Sequence, residues 1–155
     1  MKNNMNDESK EDDNKINTKE SNYLFVTTSQ LPNSGKGLFS AIDIHKDEII
    51  ALFKGEILSN DRALKRAKLG HDAYFVSMPN GDVMDSRKTK CFAKYANDVF
   101  GSENSEFKNN AQIAYDENDK ICLIATKKIK EGSEIFCAYG FRYWRNQRRS
   151  VSKSK

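Results

Sequence analysis

The sequence predicts a mostly β domain of small sheets with few short helices. Three observations carry this. Short runs rich in aromatic and β-branched residues recur at roughly 8–12-residue spacing. Clusters of Gly, Pro, Asn and Asp separate them. One stretch alone has both the start and the stop signals of a helix. Residues 23–28 (YLFVTT) form the first strand, and residues 31–35 (LPNSG) a turn. Leu38 and Phe39 follow, then Ile42 and Ile44 alternate with polar residues. A second turn at residues 45–48 (HKDE) leads into a strong strand, IIALF at 49–53. Asn60 or Asp61 caps a short helix, RALKRAKL, which Gly70 stops. Residues 74–78 and 81–84 flank Pro79 and Asn80 as a hairpin. CFAKYAN at 91–97 reads either as a short helix or as an irregular buried segment. AQIAY at 111–115 and KICLIAT at 120–126 form another hairpin around DEND.

The chain has 155 residues, enough for one domain with a real core and little more. Its formal charge of +4 is unevenly placed. Residues 1–20 carry six acids and four bases with few large apolar residues, the composition of a disordered leader. Residues 142–155 carry six bases and no acid. The domain is therefore expected over 21–144, with a flexible basic tail over 145–155. The remainder balances at zero, so the basic character belongs to the tail. That tail is a candidate for contact with nucleic acid phosphates. No window approaches the roughly 18 apolar residues of a membrane span, and no apolar run near the N-terminus suggests a secretory signal. No membrane partner is expected.

Cys91, Cys122 and Cys137 are odd in number, widely spaced and each set in an apolar stretch. They read as buried free thiols of an intracellular protein, with nuclear and cytoplasmic placement both open. There is no CxxC pair, and His45 and His71 have no ligand-spaced partner, so no metal is expected.

Four separated segments carry chemistry when taken together. Gly35-Lys36-Gly37 opens NSGKGLFSAIDIHKDEIIALFKGEIL; alone it is a tight bend, and no third glycine or long helix makes it a dinucleotide fingerprint. VMDSRKTKCFAKYAND contains Asn97 and Asp98. KNNAQI contains Asn110-Ala111, and ICLIATKKIKEGSEIFCAYGFRYW closes on Tyr139-Gly140. In this order the segments resemble the SET-domain family of protein lysine methyltransferases, as a small SET domain without zinc-binding flanks.

The resemblance implies curved β-sheets around a threaded C-terminal segment, and methyl transfer from S-adenosylmethionine to a lysine of a histone or another protein. It implies that Gly35, Lys36 and Gly37 bring backbone against the cofactor, that Tyr74 contacts it, and that the Asn97 amide receives its amino-acid end. Asp98 stands where the family usually has His, bringing a negative charge toward the cofactor. Tyr139 matches the catalytic tyrosine. Trp144 or Tyr143 would cover the adenine. Phe53, Tyr115 and Cys137 are candidates for the lysine channel. Cys137 is smaller than the family's usual Phe or Tyr, which leaves room for more than one methyl unless Ile113 or Tyr115 fills it. The alternative is a catalytically weak or inactive SET-fold module that binds a basic peptide or a protein partner; a small basic-tailed nucleic-acid binder is a third class.

Overall fold

The computed structural model describes residues 14–101 and 106–138. Among these residues ten strands form three small sheets. In the first, β1 (Leu24–Thr28) pairs antiparallel with β2 (Lys36–Ser40), which pairs with β9 (Glu134–Ile135). In the second the order is β10 (Cys137–Ala138), β7 (Ala111–Tyr115), β8 (Ile121–Ala125) and β3 (Ile49–Leu52). The third places β6 (Val83–Asp85) between β4 (Glu56–Leu58) and β5 (Phe75–Ser77).

The β7–β8 hairpin forms where alternation and turn chemistry agree. Ala111 pairs with Ala125 and Tyr115 with Ile121. Asp116 Oδ1 accepts the N–H groups of Asn118 and Lys120, and Asp119 takes a left-handed φ of 59°. Pro79 and Asn80 lie in the longer turn that joins β5 to β6. CFAKYAN resolves into a short 3-10 helix, Ala93–Tyr95.

Among the described residues one α-helix, α1 (Asn60–Lys68), connects β4 to β5 of this third sheet. Its cap is Ser59, whose hydroxyl accepts the Arg62 N–H at 3.3 Å, rather than Asn60 or Asp61. Gly70 follows the helix with a φ of 80°, as a left-handed stop requires. Arg66 anchors α1 to the sheet through Glu56 at 2.7 Å and the buried Asp85 at 2.8 Å.

The core joins the first two sheets. Leu38, Ile44, Ile50, Ile121, Leu123, Ile129 and Ile135 are almost wholly buried, each contributing on the order of 1.5–3 kcal/mol of transfer free energy. Cys91, Cys122 and Cys137 are buried and free.

The stretch from Glu134 to Ala138 crosses between sheets. Ile135 pairs with Leu38 in the first sheet, and two residues later Cys137 pairs parallel with Ala111 in the second. Phe136 makes the switch, bridging Asn97. Asn110 locks it from below: its Nδ2 donates to the Glu134 carbonyl at 3.1 Å, and its Oδ1 accepts the Phe136 N–H at 2.9 Å. This threaded arrangement matches the expected fold class.

The expected disorder over residues 1–20 is corrected for part of that span. Residues 1–13 lie outside the described residues. Lys15 bridges Ile49, the Asn14 carbonyl accepts the Ile49 N–H at 2.7 Å, and Ile16 packs on the core. Glu20 begins a 3-10 helix, Glu20–Asn22, and its carboxylate accepts the Leu52 N–H at 3.1 Å. A polar composition hides these contacts, because one isoleucine and a few backbone bonds suffice to dock a short segment.

Tyr23 sits between that segment and β3. It is buried, and its hydroxyl donates to the Ile50 carbonyl at 2.7 Å. Burial pushes its pKa above the ordinary 10, and the Glu20 and Glu48 carboxylates add to the rise. A group whose pKa is raised on folding stabilises the protein below its unfolded pKa and loses that contribution as pH climbs through the interval above. Burial raises Cys122 and Cys137 with the same sign. Stability to urea is therefore expected to fall as pH rises above about 9–10. Tyr23→Phe should make that decline shallower; an unchanged slope in the variant would show that Tyr23 is not part of it.

Candidate functional site

The turn between β1 and β2 is closed by the Ser29 N–H, which donates to the Gly35 carbonyl at 2.8 Å. Gly35 has a φ of 64°, and no atom lies within 4 Å of where its Cβ would stand. Glycine is there for the backbone conformation, and the space beside it is open. Gly37 is glycine for another reason. A Cβ there would fall on Glu134 Oε2 and lie 2.9 Å from Glu134 Cδ and 3.2 Å from Ser29 Cα. Sequence reasoning had one motive for both glycines, the approach of a ligand; the structure separates them.

Asn97 joins this turn to the C-terminal strand. Its Nδ2 donates to the Lys36 carbonyl at 3.0 Å, while its own carbonyl accepts the Cys137 N–H at 2.8 Å. One side-chain N–H is thereby used. No described residue takes the other, nor donates to Oδ1, and the residue is only half-buried. An amide that keeps an acceptor and a donor unused among the described residues, beside an open glycine turn, suits a zwitterionic group.

Asp98 points part of its carboxylate into the protein. It is buried, and its Oδ1 accepts the Phe100 N–H and the Asn109 Nδ2, both at 2.9 Å. Asn109 Oδ1 in turn accepts the Val99 N–H at 3.1 Å. These bonds fold the chain into the 3-10 helix Val99–Gly101, and give the aspartate a structural task that its position in the motif did not suggest.

Tyr74 is half-buried in the turn that leads into β5. The Lys94 ammonium stands 5.4 Å from its ring centroid and 5.3 Å from that of Tyr95. Lys94 donates to the carbonyls of Ser86 at 3.1 Å, Thr89 at 3.1 Å and Arg87 at 3.4 Å. Three donors meet three carbonyls, with an aromatic face on either side. Lys94 thus ties Tyr74 to the helix turn that ends two residues before Asn97. Sequence reasoning gave Lys94 and Glu134 no role. The signal was their setting, a single charge inside an otherwise apolar stretch in each of CFAKYAN and EIFCAY.

Phe53 and Cys137 both belong to the buried core. Burial pushes the Cys137 thiol well above the ordinary thiol range, with the nearby Asp98 charge adding to the rise, so it is protonated at neutral pH and is no nucleophile. Tyr115 differs: it is 48% exposed, and its hydroxyl donates to the Ser77 carbonyl at 3.3 Å. Tyr139, Tyr143 and Trp144 lie outside the described residues; β10 carries the chain to Ala138, one residue short of Tyr139. Among the described residues, no cluster of three or more His, Cys, Asp or Glu is placed to hold a metal ion, and no helix is long and apolar enough to cross a membrane.

The turn, Asn97 and the C-terminal strand thus form one bonded unit, with Tyr74 attached through Lys94. The chain is 26% identical over 131 residues to "Histone-lysine N-methyltransferase 2D" from Homo sapiens, and equally so to its counterpart from Mus musculus. The match covers 82% of this chain and 2% of each relative, so the chain spans a small part of their length. Two solved structures are similar in fold. One, "ctPRC2 in an autoinhibited conformation bound to S-adenosylmethionine", aligns with a TM-score of 0.64 and 25% identity, over 84% of this chain and 17% of that one. The other, a humanized mutant of the Chaetomium thermophilum Polycomb Repressive Complex 2 bound to an inhibitor, gives 0.64 and 26%, over 76% of this chain and 15% of that one. The family model of the SET domain matches residues 35–140, from the first glycine of the turn to the glycine after Tyr139. On that match, which takes in most of the chain, this protein belongs to the SET-domain family.

Proposed function

We propose that this SET domain transfers a methyl group from S-adenosylmethionine to a lysine side chain of a protein, with histones among the candidate substrates. One observation carries the reading: Asn97 bonds the GxG turn through its side chain and the strand leading to Tyr139 through its backbone. On this reading Asn97 links the cofactor end of the site to the strand that leads to its reacting end. Methyltransferase relatives, and a similar fold that binds S-adenosylmethionine, support it.

The residues present fit the cofactor. The Asn97 amide, the open side of Gly35 and the Tyr74 ring would hold it; Trp144, the candidate for the adenine, lies outside the described residues. Held there, S-adenosylmethionine supplies a methyl group on a positively charged sulfur. The chain's task is to present a neutral amine in line with it. Free lysine has a pKa of about 10.4, so only about one amine in two thousand is neutral at pH 7. The resemblance assigns Phe53 and Cys137, both buried in the core, to a lysine channel, whose apolar wall would disfavour the charged form by desolvation. Tyr139 would orient the amine through its hydroxyl, and alignment of this kind accounts for several kcal/mol of barrier. Tyr139 need not act as a base, since a phenol's pKa of about 10 suits that role poorly at neutral pH. Cys137 leaves more room than an aromatic residue would, so transfer of more than one methyl fits the site. The partly buried Ile113, on the strand that pairs with Cys137, is a candidate to limit it.

The second reading, an inactive module that binds a basic peptide, draws on Asp98 in place of the family's histidine. The bonds of Asp98 to Asn109 and Phe100 give that replacement a structural cause, which favours the enzyme. A radiolabelled-methyl assay on histones and cell extract decides between them.

Three outcomes are expected. Tyr139→Phe should lower turnover at least about tenfold, the effect of losing about 1.4 kcal/mol in the transition state, with little change in S-adenosylmethionine affinity. Full activity in the folded variant would remove Tyr139 from the reaction. Asn97→Ala should weaken S-adenosylmethionine binding by about 1–3 kcal/mol in calorimetry; unaltered affinity would mean that its amide does not meet the ligand. Asp98→His should destabilise the fold by about 1–3 kcal/mol in urea titration, because the Asn109 amide and the Phe100 N–H lose their acceptor. Asp98→Asn, which keeps an oxygen there, should recover most of that loss, and equal destabilisation by the two would count against the structural task.

A further inference from the structure

Glu134 is a carboxylate only 2% exposed, and no described cation pairs with it. Its oxygens divide their work. Oε2 accepts the Ser29 hydroxyl at 2.7 Å, and Oε1 accepts the Gln30 N–H at 2.8 Å. The Ser29 oxygen also accepts the Leu31 N–H at 3.1 Å, so the carboxylate organises the whole entry to the β1–β2 turn. Ser29 closes the turn with its N–H on the Gly35 carbonyl.

The side-chain direction of Gly37 runs into this carboxylate. It does not run into the open space that adjoins Gly35. On the turn's other flank, Asn97 holds the Lys36 carbonyl. Glu134 also begins the stretch that crosses between sheets and continues to Tyr139. Burying a charge without a counter-ion is costly unless hydrogen bonds hold it, and here both oxygens are held by the turn itself.

We propose that Glu134 is a positioning residue for methyl transfer: it seats the Gly35-Lys36-Gly37 turn on the strand that leads to Tyr139, and Gly37 is glycine because this carboxylate occupies its side-chain space. The inference rests on the methyltransferase reading. It assigns Glu134 no contact with cofactor or substrate and no proton transfer. The competing account of Gly37, that it is glycine to admit the ligand, makes the opposite prediction for a double variant.

The test uses the full chain and four variants: Gly37→Ala, Glu134→Ala, the two combined, and Glu134→Gln. S-adenosylmethionine affinity is measured by calorimetry, steady-state constants by methyl transfer, and unfolding by thermal melting. Gly37→Ala alone should weaken S-adenosylmethionine binding at least about tenfold. In the Glu134→Ala background the same substitution should cost less than about threefold, since residues in contact are not additive. Glu134→Ala should raise the KM for S-adenosylmethionine about tenfold while kcat at saturation falls less than about threefold. Glu134→Gln should stay within about threefold of the parent, because its carbonyl still accepts the Gln30 N–H and the Ser29 hydroxyl can reverse. An equal cost of Gly37→Ala in both backgrounds would overturn the proposal. So would a Glu134→Ala variant with unchanged KM whose kcat falls with its folded fraction. If Gly37→Ala does not fold, a folded double variant supports the proposal and an unfolded one overturns it. Failure of the parent chain to bind S-adenosylmethionine sinks the methyltransferase reading instead, and the melting temperatures then still decide whether Gly37 and Glu134 share one space.

Discussion

The structure depends on five residues, Glu134 to Ala138, that hydrogen-bond to three different partners in succession. β2 takes the first two, Asn97 takes the backbone on either side of the sheet switch, and β7 takes the last two. So short a stretch has little stability of its own. It is held because each neighbour was already fixed by something else: β2 by β1, β7 by β8, and Asn97 by the short helix before it. Asn110 completes the enclosure by bonding to the Glu134 carbonyl and the Phe136 N–H, on either side of Ile135. The arrangement brings residues from four distant parts of the chain within hydrogen-bond reach, which no single hairpin or helix does.

Much of the local structure was legible in the sequence. The β7–β8 hairpin could be read to within one residue at each strand end because alternation, strand propensity and an Asp-rich turn all agree there. The helix was legible too, but its cap was not. Ser59, Asn60 and Asp61 are all good capping types in a row, and only the three-dimensional path decides which hydroxyl or carboxylate meets a free N–H. The docking of residues 14–20 was hidden for a different reason. Composition measures how much a segment can bury, whereas this one is held by backbone bonds to Ile49 and by the Glu20 carboxylate on Leu52.

The site was legible as an ordered set of motifs but not as a set of forces. Gly35 and Gly37 look equivalent in the sequence, yet one answers to its own backbone and the other to a carboxylate almost a hundred residues away. Asp98 looks like a departure at a ligand contact, and it is also the hinge of a turn. Lys94 passes for an ordinary surface lysine until its three carbonyl acceptors are seen. The partner of Gly37 is remote in the chain, and those of Asp98 and Lys94 are nearer but lie across irregular turns, so periodicity and propensity carry no information about any of them.

The three buried thiols have a use beyond packing. Cys91 receives the Lys54 N–H near the end of β3, Cys122 lies within β8, and Cys137 lies in the threaded strand itself. None is paired, and none is exposed. An alkylating reagent meets each only when the chain around it opens, so the three act as built-in clocks for separate parts of the fold. Cys137 times the release of the threaded segment, the event that would take the turn, Asn97 and the final strand apart together.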